Sequence, residues 1–178
     1  MLKKILVKVI NTLILRRSFL EQLKQRGLKA GNNVSIYNTK IDYSHCFLIE
    51  IGNDVTITNS TLLAHDASTQ IYLRKSRVGK IIIGDRVFIG WGSIILPNVV
   101  IGNDVIVASG SIVTKDIPSN TIVAGVPAKV IGKTSDYIEK NRELLKSAPN
   151  YDTYWKKKSK EEINLMINEL NGKIGFDE

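Results

Sequence analysis

The sequence predicts an all-β fold, a parallel β-helix, and three observations lead to that prediction. Aliphatic residues recur at an unbroken step of six, at positions 83, 89, 95, 101, 107 and 113. A glycine follows this aliphatic residue at positions 84, 90 and 102. The stretch Ile-Gly-Asn-Asp-Val occurs twice, at residues 51–55 and 101–105. A repeat of this kind is typical of a prism whose faces are short, stacked parallel strands.

The repeat also predicts which residues fill the prism, because side chains alternate between the two faces of a strand. Inward positions are expected at 81, 83, 87, 89, 93, 95, 99, 101, 105, 107, 111 and 113. The same step upstream places Ile51, Ile57 and Leu63 in the core. The residues expected to face outward are all apolar: Ile82, Phe88, Ile94, Val100, Ile106 and Ile112. Such faces need a cover from a neighbouring subunit, a ligand or the chain's own tail, and a homotrimer suits a three-sided prism.

The remaining sequence is divided around the prism. Within residues 1–30, residues 1–26 resemble a basic amphipathic helix, which either packs on the end of the prism or docks on a membrane surface. The prism is predicted over residues 31–133, with an extruded loop at 65–80. Residues 134–178 form a helical tail, in which an irregular stretch around Pro149 and Trp155 precedes a helix carrying Ile163, Ile167 and Leu170.

Composition limits the classes of function. The single cysteine, Cys46, excludes a disulfide framework and predicts a cytoplasmic protein. Of the two alternatives for residues 1–26, membrane docking would place the protein at the inner face of a membrane. The formal net charge of +8 is compatible with nucleic acid, an anionic membrane or a polyanionic small molecule. Because the basic residues are scattered and are not interleaved with aromatics, nucleic acid is not an expected partner.

The chain contains two histidines, His45 and His65. His65 stands where the loop leaves the prism, and an imidazole that titrates near neutral pH is suited to general base catalysis there. His45 is expected to be structural or to line the acceptor site. The γ-class carbonic anhydrases share the prism but hold their metal with three histidines, so no metal is expected here.

Two further stretches carry a resemblance to a known family. They are Gly-Ser-Ile-Val-Thr-Lys-Asp-Ile-Pro at 110–118 and Ala-Gly-Val-Pro-Ala-Lys-Val-Ile at 124–131. With the hexapeptides and the histidine-bearing loop, they resemble the galactoside, maltose and xenobiotic acetyltransferases, and above all the O-acetyltransferases of surface-polysaccharide gene clusters. This resemblance implies a left-handed β-helix, a homotrimer, acetyl-CoA as cosubstrate, and a sugar, nucleotide sugar or oligosaccharide as acceptor.

The resemblance also implies roles for single residues. His65 would be the general base, oriented by Asp66 or by a backbone carbonyl, and the N–H of Trp91 would bind the oxyanion. The residues implied to bind acetyl-CoA are Trp91, Ser109, Thr114, Lys115, Pro127 and Lys129, the last of them placed to meet a phosphate.

Three alternatives remain open at this point. An N-acetyltransferase acting on an amino sugar and an enzyme similar to serine acetyltransferase would both use the same base and cosubstrate. A non-catalytic β-helix, serving as a scaffold or a sugar-binding module, would need neither of them.

Overall fold

The computed structural model describes residues 19–178 of the chain. They belong to two compact units, one ending at Thr134 and the other comprising Ser135–Glu178. Helix α1, Phe19–Gln25, is the described part of the predicted N-terminal helix, and the rest of that prediction lies outside the described residues. Among residues 19–178, no helix is long and apolar enough to cross a membrane.

Three sheets form the walls of the first unit, and strands β1–β6 (residues 29–62) and β9–β14 (residues 81–113) are assigned to them in rotation. The first sheet contains β1 (Lys29–Ala30), β4 (Ile49–Ile51), β9 (Ile81–Ile83) and β12 (Val99–Ile101). The second contains β2 (Ser35–Tyr37), β5 (Thr56–Thr58), β10 (Phe88–Ile89), β13 (Ile106–Val107), β15 (Thr121–Ala124) and β16 (Lys129–Lys133). The third contains β3 (Lys40–Ile41), β6 (Thr61–Leu62), β11 (Ile94–Ile95) and β14 (Ile112–Val113). Apart from the antiparallel pair β15 and β16, neighbouring strands are parallel, and the fold is the predicted left-handed β-helix.

The predicted inward positions between 81 and 113 are confirmed. All twelve are at most 2% exposed: Ile81, Ile83, Val87, Ile89, Ser93, Ile95, Val99, Ile101, Val105, Val107, Ser111 and Val113. The two serines are satisfied inside the core, because the hydroxyls of Ser93 and Ser111 both donate to the carbonyl of Ala108, at 3.1 and 2.6 Å. β-branched side chains thus fill a narrow interior without leaving a buried hydroxyl unpaired.

A ladder of side chains along one corner explains why Ile-Gly-Asn-Asp-Val is repeated. The carboxamide oxygen of Asn53 accepts from the backbone N–H of Asn32 at 3.0 Å, and that of Asn103 accepts from Asp85 at 2.8 Å. The glycine that precedes the donor residue leaves room for this contact, since a Cβ on Gly84 would lie 2.4 Å from Oδ1 of Asn103. Asp104 then turns the chain at a φ of 57°, a conformation that Asn and Asp tolerate.

The predicted core position Leu63 is wrong by one residue. Leu62 is fully buried and pairs with Ile95, whereas Leu63 is half-buried. The step from Ile57 is therefore five residues. The reason is the length of the corner. Here the corner consists of Thr58 and Asn59, with Asn59 at a φ of 42°. The corresponding corner of the next coil, Gly90-Trp91-Gly92, is one residue longer.

The loop leaves the prism after Ala64 and returns at Gly79, whose N–H donates to the carbonyl of Ala64 at 3.0 Å. Its base is an antiparallel pair of β7 (His65–Asp66) and β8 (Arg77–Val78). A 3-10 helix at Ala67–Thr69 and the short helix α2 at Gln70–Leu73 form its tip. The prism therefore fixes both ends of the loop that carries His65.

The second unit contains helix α4, Lys160–Glu169, in the region where the apolar spacing predicts a helix. Ser159 and Glu162 form a capping box at its N-terminus. Strands β17 (Asn150–Tyr151) and β18 (Phe176–Asp177) pair in parallel. Helix α3, Thr134–Leu145, was not predicted, because its surface is largely polar and none of its residues is buried.

Candidate active site

His65 is the first residue of the loop, and its side chain is 35% exposed. Its Nδ1 atom is hydrogen-bonded to Oδ2 of Asp42. Asp42 follows strand β3, where its backbone N–H donates to the carbonyl of Leu62 in the next coil at 3.0 Å. Two residues that are 23 positions apart are therefore brought together by the stacking of successive coils.

The carboxylate of Asp42 is only 3% exposed, yet it is held in the ionised form. Burial raises the pKa of Asp42, but hydrogen bonds from the His65 side chain and the His45 backbone outweigh burial and keep it below its ordinary value. An ionised carboxylate can only accept, so the proton between the two side chains resides on Nδ1 of His65. In the neutral imidazole this tautomer leaves the lone pair on Nε2 of His65, as a general base requires.

His45 lies on the other side of the same carboxylate. Its backbone N–H donates to Oδ1 of Asp42 at 3.2 Å, and its ring Nδ1 lies 3.5 Å from that oxygen. This buried Nδ1 makes no hydrogen bond with any described residue. The two imidazole rings are 4.7 Å apart between centroids. The carboxylate of Asp42 thus lies beside two imidazole rings.

A metal ion could in principle use these three side chains, since their ligand atoms lie within 4.8 Å of one another. We do not assign them as ligands, because Nδ1 of His65 and Oδ2 of Asp42 are bonded directly to each other with no space for an ion between them. The hydrogen bond between the imidazole of His65 and the carboxylate of Asp42 is compatible with proton transfer.

Asp66 does not orient His65. Its carboxylate accepts from the backbone N–H of Ser68 at 2.8 Å and caps the 3-10 helix of the loop. That hydrogen bond lowers the pKa of Asp66. Adjacent residues of a strand point to opposite faces, which separates the side chain of Asp66 from that of His65. The expectation that Asp66 or a backbone carbonyl holds the imidazole is therefore corrected in favour of Asp42.

A cavity of about 500 Å³ opens beside His65. Its walls come from the loop and from the corner that follows the third sheet. The lining residues are Leu63, His65, Asp66, Ala67, Arg77, Leu96, Pro97 and Thr114. Of the residues implied to bind acetyl-CoA, the cavity includes Thr114, and Lys115 is its exposed neighbour in sequence.

Trp91 and Ser109 lie at a different corner, at the opposite end of strands β11 and β14. Their backbone segments lie one above the other on successive coils, since the N–H of Gly110 donates to the carbonyl of Trp91 at 2.8 Å. The Trp91 side chain is 65% exposed. Within residues 19–178, neither the N–H of Trp91 nor that of Ser109 donates a hydrogen bond. Neither group is therefore committed to an acceptor among these residues.

The segment containing Pro127 and Lys129 continues this second corner. The N–H of Ala128 donates to the carbonyl of Ile112 at 2.8 Å, and the carbonyl of Gly125 accepts from Ile112 at 3.0 Å. Pro127 and Lys129 are both exposed. The residues implied to bind acetyl-CoA thus fall into two groups on one chain, Thr114 and Lys115 near His65, and the other four along the second corner.

Known proteins resemble this chain over different lengths. The family model described as "Bacterial transferase hexapeptide (six repeats)" matches residues 80–115. Protein CapG of Staphylococcus aureus is 42% identical over 143 residues, which is 76% of this chain and 81% of CapG. Galactoside acetyltransferase in complex with coenzyme A superposes with a TM-score of 0.51 at 29% identity, covering 66% of this chain and 70% of that one.

A shorter match is to the 2,3,4,5-tetrahydropyridine-2,6-dicarboxylate N-acetyltransferase of Lacticaseibacillus casei (strain BL23), at 57% identity over 63 residues. That match covers 35% of this chain and 27% of the enzyme. The chain belongs to the hexapeptide-repeat acyltransferase family. Within that family it is an acetyltransferase.

Sequence reasoning missed Asp42. The signal was weak but present, because Asp42 follows Lys40-Ile41 as Leu63 follows Thr61-Leu62, one coil later. Recognising it required the correct register of the second coil, which the predicted core position Leu63 misplaced by one residue.

Proposed function

We propose that the protein is an acetyl-CoA-dependent O-acetyltransferase that acts on a sugar hydroxyl, with His65 as the general base. The observation that carries the proposal is the hydrogen bond between His65 and the ionised, buried Asp42 at the mouth of a cavity of about 500 Å³. The likeness to the O-acetyltransferases of surface-polysaccharide gene clusters supports an acceptor from capsule, O-antigen or exopolysaccharide biosynthesis.

The chemistry follows from the charge on Asp42. A sugar hydroxyl is a poor nucleophile until its proton is removed, and Nε2 of His65 is free to accept that proton. The imidazolium that forms is stabilised by the carboxylate at Nδ1, which also keeps the ring in the productive orientation. When bound, acetyl-CoA supplies the acetyl group as an activated thioester, and the N–H of Trp91 is suited to hold the oxyanion that develops. The proton held on Nε2 of His65 is then available to the CoA thiolate that leaves as the C–S bond breaks.

The separation of the two corners supports a site shared between subunits. On one chain, strands β11 and β14 lie between the His65 cavity and the corner formed by Trp91 and Ser109. The apolar residues of the prism faces, such as Phe88 and Val100 at 43% exposure each, offer a surface for a second copy. In the trimer that we propose, the loop of one chain meets the cosubstrate corner of the next.

N-acetylation is the alternative that a specific observation favours, namely the match to an N-acetyltransferase over 63 residues. Both activities need the same base. They can be separated by incubating the protein with acetyl-CoA and a panel of nucleotide sugars and oligosaccharides, including amino sugars, followed by mass spectrometry. An O-acetyl product loses its acetyl group in mild alkali, whereas an amide retains it. An alkali-stable product alone would replace the O-acetyltransferase proposal with its alternative.

A further inference from the structure

His45 has no part in the proposed mechanism, yet its ring lies beside the same carboxylate that binds the base. Its Nδ1 lies 3.5 Å from Oδ1 of Asp42, while Nδ1 of His65 is bonded to Oδ2. The Asp42 carboxylate is 3% exposed, so these two imidazoles largely replace water around it. His45 is held there by its own backbone N–H, which donates to the same carboxylate at 3.2 Å.

Few charged side chains surround His45 and His65. Asp42 faces both rings from the end of strand β3. From the base of the loop, Asp66 and Arg77 act on the site, with the Asp66 carboxylate already engaged by Ser68. Phe47, the other described ring near His45, is uncharged and lies 6.0 Å away between centroids. The carboxylate of Asp42 is therefore the charge that His45 and His65 share.

We propose that His45 is a positioning residue that competes with His65 for the charge of Asp42, so that protonation of His45 opposes protonation of the base. This inference rests on the proposed function only for its catalytic consequence. One carboxylate can compensate one imidazolium, and a second positive charge would arise beside the first, with ring centroids 4.7 Å apart. As the pH falls, a proton on His45 delays the proton on His65, and the base remains neutral over a wider range.

The direction of the effect follows from the distance. Two positive charges on rings whose centroids are 4.7 Å apart repel each other, and partial burial weakens the screening of that repulsion by water. The coupling free energy is the same in both directions, so a proton on either imidazole opposes a proton on the other. In the wild type, the ring that gains its proton second bears most of the displacement.

The direct test is a pH titration by nuclear magnetic resonance of untagged, histidine-labelled protein, which has two histidine residues to follow. The His65→Asn variant assigns the signal of His45, and His45→Gln assigns that of His65. We expect the histidine that gains its proton second in the wild type to gain it at higher pH once the other imidazole is removed, and neither remaining histidine to gain its proton at lower pH. Unchanged midpoints in both variants, or a displacement to lower pH in either, would overturn the proposal whether or not the protein is an acetyltransferase.

The catalytic arm measures kcat/KM against pH for wild type and His45→Gln on an acceptor found in the mass-spectrometric screen. The acid side of the profile should move to higher pH by the displacement seen in the titration, with the rate at its plateau reduced by less than about threefold. A uniform loss of rate with an unmoved profile would show that His45 is structural, which contradicts the proposal. Should His45→Gln fail to fold, His45→Asn takes its place, and the titration of His45 in His65→Asn against wild type remains decisive.

Discussion

Nδ1 of His65 donates a hydrogen bond to a carboxylate that comes from one coil earlier, that of Asp42, whose side chain is only 3% exposed. The pair fixes the tautomer of the imidazole. The Asp42→Asn variant should therefore reduce kcat at least about tenfold, as part of the 10² to 10⁴ that a general base supplies. KM for acetyl-CoA should hardly change, since the contact acts on the base.

Asp104→Asn is the matched control for this experiment. Asp104 also has a carboxylate in a well-formed contact, with the guanidinium of Arg86 at 2.7 and 2.8 Å, but that pair is exposed and lies on another corner. Loss of this ion pair should leave kcat within about twofold of the wild type, because exposed ion pairs contribute little to stability. Equal losses of rate in both variants would show that Asp42 has no particular role in catalysis.

The lowered pKa of Asp42 predicts a dependence of stability on pH. A carboxyl group whose pKa is lower in the folded than in the unfolded protein stabilises the fold at pH values above its pKa in the unfolded protein. This stabilisation is lost as the pH falls through its pKa in the folded protein. Chemical denaturation should therefore show unfolding free energy that declines below about pH 4. Asp42→Asn should flatten this decline, and an unchanged slope in the variant would remove Asp42 from the explanation.

Much of this fold could be predicted from the sequence, because the repeat is local. The inward alternation from Ile81 to Val113 follows from a period of six and needs no knowledge of distant contacts. The position of Leu62 could not be obtained in this way, since the corner at Thr58-Asn59 is one residue shorter than the next. The partner of His65 depends on that register, whereas Asp66 was expected, beside a backbone carbonyl, only because it is adjacent to His65 in sequence.

Trimer formation is the third prediction. Light scattering of the purified chain should give a mass near three times 19.8 kDa. Phe88→Glu should lower that mass, because it places a charge on an apolar face of the prism that is proposed to contact a second subunit. Phe88→Leu keeps the face apolar and should remain assembled. A folded, stable monomer of the wild-type chain would contradict the shared site.

The fourth prediction concerns the anionic cosubstrate. Lys129→Ala should raise the Kd for acetyl-CoA, measured by calorimetry, and the difference from wild type should diminish as salt is added. Lys140→Ala removes an exposed lysine of helix α3 as a charge-matched control and should leave the Kd unchanged. Equal affinities of wild type and Lys129→Ala at low ionic strength would mean that Lys129 is a solvated surface residue. Absence of any acetyl-CoA binding by the wild type would favour a non-catalytic scaffold.

A shared site also predicts complementation between subunits. Mixed trimers of a His65→Asn chain and a chain altered at Lys129 should regain part of the activity, because some loops and cosubstrate corners in the mixture are both intact. The two variants measured separately provide the baseline. Mixtures no more active than that baseline would indicate that each chain completes its own site.

The proposed mechanism depends most directly on His65, and the decisive measurement is kcat of His65→Asn on the acceptor identified by the mass-spectrometric screen. The rate should fall by about 10² to 10⁴, the contribution of proton removal by a positioned base. The circular dichroism spectrum and the Kd for acetyl-CoA should match the wild type, since the loop lies outside the stacked core. A variant that transfers acetyl groups at the wild-type rate would contradict the assignment of His65 as the base.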